Sequence, residues 1–141
     1  MARPPVVKSF LIADAVIQDR LTGKWSVIGV FDRILSAAFP VLHPSVSFYV
    51  KMGDLQGRYR IKVEFRDATD NRIGLIEGPP IDVKDSAQSF ELGIGLANVK
   101  LDRPGKYQFQ MYVNDDFVAS APLDVVQVQV QPPPPPPPPP G

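Results

Sequence analysis

The sequence has no cysteine and a single histidine. Without thiols there can be no disulfide, no thiolate metal site and no cysteine nucleophile. Histidine chemistry has one candidate, His43, in "FPVLHPSV" between Pro40 and Pro44. It reads as a loop residue, and the sequence offers no second member of a catalytic triad. Neither sign of charge prevails: Lys and Arg total 15, Asp and Glu total 15, and the formal net charge is zero. That balance argues against bulk attraction to nucleic acid or to an anionic membrane. No apolar run approaches the ~20 residues of a membrane helix. The run from Phe10 to Ala13 is stopped by Asp14, short of the roughly 7 to 15 residues of a secretory h-region. No signal peptide is therefore expected, despite the cleavage-like triplet Ala13-Asp14-Ala15, and the expected setting is cytoplasmic. Dinucleotide, P-loop and zinc-protease motifs are absent. No cofactor is expected, and the expected class is not an enzyme.

What is present is a chain of 141 residues with 44% hydrophobic and 21% charged residues, enough for one globular domain with a core. Period-two alternation marks its strands. In "RYRIKVEFRD", Tyr59, Ile61, Val63 and Phe65 face one way and charges the other. "SVSFYVKM" turns Val46, Phe48, Val50 and Met52 inward, and "KYQFQMYV" turns Tyr107, Phe109, Met111 and Val113 inward. "SFELGIGL" places Phe90, Leu92, Ile94 and Leu96 on one face; Gly93 and Gly95 on the other would admit a neighbouring backbone.

The stretch "FLIADAVIQDRLTGKWSVIGVF" holds two short apolar runs around Asp19 and Gly23. β-Branched residues, a central glycine and a polar turn predict a hairpin, and apolarity on both faces predicts central strands. A helix over residues 9–18 is the competitor. Gly78-Pro79-Pro80 predicts a broken edge strand, because proline cannot donate to a ladder. A parity shift between Val125 and Val126 predicts a bulge or a sheet switch.

The fold class is therefore all-β: a β-sandwich of about eight strands. The domain is expected over residues 1–130 and a separate tail over 131–141. "LDRPGKYQFQMYV" resembles the tyrosine corner of immunoglobulin-like sandwiches, with Tyr107 two residues before the inward Phe109. An antibody domain would carry cysteine there, and an ordinary aromatic strand start fits equally well.

"ADAVIQDRLTGKWSVIGVFDRI" followed by "FP" resembles the opening of a family of short bacterial proteins known as a domain of unknown function. The likeness covers residues 9 to about 130 and leaves out the tail. It implies a bacterial source and a compact β-rich domain, and transfers no activity and no site residues.

Several clusters are candidate sites. Asp67, Asp70 and Asn71 in "DATDNRIG" offer oxygen ligands, but lack the closing glutamate of a calcium loop and match turn chemistry better. Asp14 and Asp32 could form a carboxylate pair, although a strand kink bonded to backbone amides suits Asp14 better, and an ion pair with Arg33 or a neighbouring strand suits Asp32. Trp25 and Tyr49 could make a stacking surface for sugars; Trp25 reads better as a core or rim residue. Arg58, Arg60, Lys62 and Arg66 form a basic row that could hold an anion or an acidic partner, with Lys51 and Arg72 as candidates to extend it. Overall neutrality favours an ordinary solvated face.

The tail is nine prolines, Pro132, Pro133, Pro134, Pro135, Pro136, Pro137, Pro138, Pro139 and Pro140, then Gly141. Such a run forms a polyproline II rod of roughly 28 Å at ~3.1 Å per residue. With nothing after it in the sequence to connect, it reads as a recognition tag or as neutral low complexity rather than a spacer. The expected function is a non-catalytic binding or assembly module with an unknown protein partner, no nucleic acid and no membrane. A small-ligand or carbohydrate-binding sandwich is the alternative, and a small enzyme the third.

Overall fold

Eleven strands and no helix appear among the residues described, 3–130 and 134–140, in a computed structural model of the chain. In chain order they are β1 (Val6–Gln18), β2 (Trp25–Val30), β3 (Arg33–Ser36), β4 (Val41–Gly53), β5 (Gly57–Tyr59), β6 (Ile61–Arg66), β7 (Arg72–Glu77), β8 (Ile81–Val83), β9 (Phe90–Leu101), β10 (Gly105–Val113) and β11 (Asp116–Gln127). One sheet runs β2-β1-β4-β9, the second β3-β11-β10-β6-β7, and β5 pairs with β8 alone. All pairings are antiparallel except β3 with β11.

The two large sheets pack face to face as a sandwich. Val46, Phe48, Val50 and Met52 of β4 are fully buried against Phe109 and Met111 of β10. The Phe48 ring meets Phe109 edge-on at 4.7 Å between centroids, and Phe65 stacks on Phe109 at 4.4 Å. All four alternating runs keep their expected faces, because a one-residue slip would move every core side chain into water.

The hairpin at residues 10–34 is present, and residues 9–18 are strand rather than helix. Its second strand is not central: β2 borders its sheet and is largely exposed. Apolarity on both faces misled because the hairpin folds over. β1 pairs with β4 only as far as Ala13↔Ser47, and there the Asp14 carbonyl accepts the Ser45 hydroxyl at 2.8 Å. Beyond that point Val16 and Trp25 lie against Gly93, across the outer face of β4 and β9. What occupies the space beside Gly93 is therefore an indole and a valine methyl, not the neighbouring backbone expected.

"RYRIKVEFRD" is two strands, not one. The break falls at Arg60, whose amide donates to Asn114 Oδ1 at 2.9 Å while Asn114 Nδ2 donates to the Arg58 carbonyl at 3.1 Å. Asn114 itself sits in the β10–β11 turn with Asp115, at φ 49° and 69°, the left-handed pair of a two-residue hairpin turn. His43 is inside β4 opposite Val99 rather than in a loop. Pro44 is tolerated beside it because β1 no longer pairs with that end of β4.

The edge broken at Gly78-Pro79-Pro80 is where β7 leaves the second sheet and β8 joins β5. β11 continues unbroken through Val125 and Val126, paired with Ile34 and Leu35, so no bulge lies there. The irregularity sits at its other end, opposite Met111 and Tyr112. Pro134 to Pro140 are exposed and outside any strand; Pro132 and Pro133 of the expected tail lie outside the described residues.

Candidate functional site

The basic row divides among different surroundings. β6 turns Lys62, Glu64 and Arg66 to the outer face of the second sheet, opposite Tyr112, Gln110 and Gln108 of β10. Glu64 is 5% exposed and gathers the cations around it: Arg66 Nη2 at 2.7 Å, Arg72 Nη1 at 3.5 Å and Lys62 Nζ at 3.9 Å. Lys62 also stands 5.0 Å from the Tyr112 ring centroid. Arg60 reaches Asp115 at 3.6 Å, and Arg58 lies in the separate β5–β8 pair opposite Asp82. A ring of cations around one carboxylate replaces a continuous basic stripe.

The Arg66 guanidinium bonded to Glu64 holds that carboxyl below its usual range, with Lys62 and Arg72 adding to the effect. Asp67 is also lowered, chiefly by the Asn71 amide, and Asp19 by the Thr22 amide. Asp67 Oδ1 accepts from the amides of Thr69 and Asn71, both at 3.0 Å, and from the Thr69 hydroxyl at 2.8 Å. Asp67 Oδ1 is thus committed to closing the turn. Folded pKa values below the unfolded ones contribute stability that is present above the unfolded value and lost as pH falls through the folded one. The urea midpoint should therefore hold from neutrality down to about pH 4, near ordinary carboxyl values, and fall below it. Glu64→Gln should flatten part of that fall; a pH profile unchanged by the substitution would refute the role given to Glu64.

Asp14 and Asp32 have separate surroundings. The Asp14 carboxylate stands over Gly29, and it is its carbonyl, rather than its side chain, that is bonded, to the Ser45 and Ser47 hydroxyls. Asp32 lines a hollow of about 260 Å³ with Arg33, Lys106 and Asp124, and its carbonyl accepts the Asp124 amide at 2.8 Å. Arg33 pairs with Asp124 at 3.9 Å. The His43 ring packs against Phe31 at 5.5 Å.

Trp25 and Tyr49 do meet, at 6.5 Å between centroids. The indole is committed to Gly93, and the Tyr49 hydroxyl donates to Glu91. Burial, then the bond to Glu91 and its negative charge, push the phenol up to about 12.

Tyr107 is 3% exposed and its hydroxyl donates to the Arg103 carbonyl at 2.6 Å, back across the turn before β10. Tyr107→Phe should cost about 1 kcal/mol, with more if the carbonyl stays buried and unpaired. An unchanged denaturant midpoint would show that this bond does not stabilise the fold. Sequence reading missed Tyr59, whose hydroxyl donates to the Arg3 carbonyl at 2.6 Å and accepts the Gln56 amide at 2.8 Å. Its only sequence signal was its inward parity.

The exposed apolar side chains have a local concentration that the sequence reading did not identify. On the β1–β2 hairpin, Ile17, Ile28 and Val30 are each more than half exposed, and Leu21 at the tip is 97% exposed. The pairs Ala15↔Ile28, Ala13↔Val30 and Ile17↔Ser26 put Ile17, Ile28 and Val30 on one face, away from Gly93. A second apolar feature is a trough of about 390 Å³ between the bordering strands β7 and β9, lined by Ile73, Leu75, Leu96 and Val99.

No curated protein matches the chain. Residues 8–126 match a family of unknown function, a span that begins within β1 and ends within β11, and the chain belongs to that family, DUF6941.

Proposed function

We propose that this protein is a non-catalytic binding or assembly module whose contact surface is the β1–β2 hairpin. The observation that carries the reading is the coincidence, on that hairpin, of an open sheet border with exposed Ile17, Ile28 and Val30. Exposed apolar groups that are contiguous and sit on an unpaired edge mark interaction surfaces. The proline tail is a second recognition element in this reading, as a polyproline II ligand. On the Tyr107 bond we take the sandwich to be immunoglobulin-like, and on the resemblance of its opening stretch we take the source to be bacterial. A carbohydrate module would require an exposed aromatic platform, and the Trp25 ring is already packed on Gly93.

The test compares three immobilised forms in cell extract: the full chain, the chain without residues 132–141, and Ile28→Lys. Truncation should move stability by less than about 0.5 kcal/mol, as surface changes do. Ile28 is exposed, so its replacement should also leave the fold intact. Retained proteins identified by mass spectrometry should be lost with Ile28→Lys, with truncation, or with both. Identical retention by all three forms would overturn the assignment of both surfaces.

A further inference from the structure

Sheet borders elsewhere in this molecule carry the features that discourage strand pairing. β9 has Glu91 and Lys100. β7 begins at Arg72, ends at Glu77 and runs into Pro79-Pro80. β3 is four residues long and starts with Arg33. In the small sheet, β5 has Arg58 and β8 has Asp82. Among the described residues, β2 alone borders a sheet with neither charge nor proline, as "WSVIGV".

Its backbone is available for pairing. Asp19 N–H donates to the Lys24 carbonyl at 2.8 Å where the hairpin closes. Antiparallel ladders alternate bonded and non-bonded pairs. In the register Gln18↔Trp25, Ile17↔Ser26, Val16↔Val27, the amides of Trp25 and Val27 therefore point away from β1. Charges flank the strand asymmetrically. Lys24 precedes it and Asp32 follows it, both exposed. Two such strands aligned antiparallel about a two-fold axis near Ile28 bring Lys24 of each copy beside Asp32 of the other, whereas parallel alignment brings like charges together. Gly29, the one residue of β2 with a positive φ, at 71°, falls inside that paired window, opposite Val27 of the other copy.

We infer that the occupant of this edge is a second copy of the chain, pairing β2 to β2 antiparallel and joining the two four-stranded sheets into one continuous sheet. This rests on the hairpin being the contact surface, as proposed above. An isologous interface needs a self-complementary patch, and the apolar strand with opposite charges at its two ends meets that requirement. The Ile28 side chains come together on the exposed face, with Val30 and Ser26 on either side.

Sedimentation velocity of the purified full chain over a concentration series tests it. The expected result is a concentration-dependent monomer–dimer equilibrium. Ile28→Lys places like charges across the axis and should weaken association at least about tenfold, since such juxtaposition costs more than one decade in affinity. Lys24→Asp alone and Asp32→Lys alone should each weaken association, and the double variant should restore it, which a purely structural role for either residue would not produce. Circular dichroism checks that each variant retains its β-structure. A full chain that stays monomeric throughout overturns the second-copy occupant. If Ile28→Lys nevertheless abolishes capture of another protein from extract, the hairpin remains the contact surface and only the occupant is wrong. Dimers indifferent to all three sites overturn the β2 edge. Single charge variants that weaken association without rescue by the double variant overturn the antiparallel alignment.

Discussion

Phe109→Ala should lower stability by about 3 to 5 kcal/mol, the cost of emptying a large aromatic site in a packed core. The position leaves little room for relaxation. Phe109 is fully buried, stacked on Phe65 within its own sheet and edge-on to Phe48 in the other. On its remaining flank, β11 presents only Ala121. Each aromatic pair adds about 0.5 to 1.5 kcal/mol beyond area burial, and the Phe48 contact is one that ties the two sheets together. A domain of ordinary stability has only about 5 to 15 kcal/mol in total. The alanine variant should therefore show a much lower urea midpoint with an unchanged slope. Phe109→Leu, which retains more of the volume, should lose distinctly less. Equal midpoints for the alanine variant and the parent would mean that the inter-sheet aromatic cluster is not where the fold is held.

The sequence made this core legible because strand parity is a local signal. Val46, Phe48, Val50 and Met52 alternate with polar or outward residues, and Tyr107, Phe109, Met111 and Val113 do the same. Burial follows that alternation wherever one face of a sheet meets another. Local signals failed where a distant residue decided the outcome. The break at Arg60 is held by Asn114, far along the chain. β11 looked irregular at Val125 and Val126, but the four residues of β3 pair with it there and keep it straight. The tally of strands rose for the same reason: short elements such as β3, β5 and β8 exist only through their partners.

The candidate surface was harder to read than the core. Glu64 was the one acid inside a row of cations, and charge counting passed over it; burial turned it into the hub of that row. The border position of β2 has no local signature at all. "WSVIGV" reads as a central strand because it is apolar on both faces. One of those faces is turned onto Gly93 through Trp25 and the other is left in water, and only the path of β1 beyond Ala13 distinguishes this from burial on both sides.

Gly93→Ala tests that path. The backbone at Gly93 is not in the left-handed region, so the substitution carries no conformational penalty of that kind, and the effect comes from contact alone. An added methyl would lie 2.7 Å from Trp25 Cζ3 and 2.8 Å from Val16 Cγ1, closer than packed carbons approach. Both neighbours belong to the hairpin, on its two strands, so relief requires the hairpin to lift from the outer face of β4 and β9. Overpacking of this kind costs about 1 to 3 kcal/mol. The chain has one tryptophan, so the same event is visible in fluorescence: Trp25 emission should shift to the red as the indole gains water. Truncating the indole with Trp25→Ala removes one of the two clashes, and Gly93→Ala should then cost less than it does in the parent, a coupling expected of residues in contact. Gly93→Ala with an unchanged midpoint and unchanged emission would mean that the hairpin does not rest on β9. The edge it presents would then lack the support that fixes it in place.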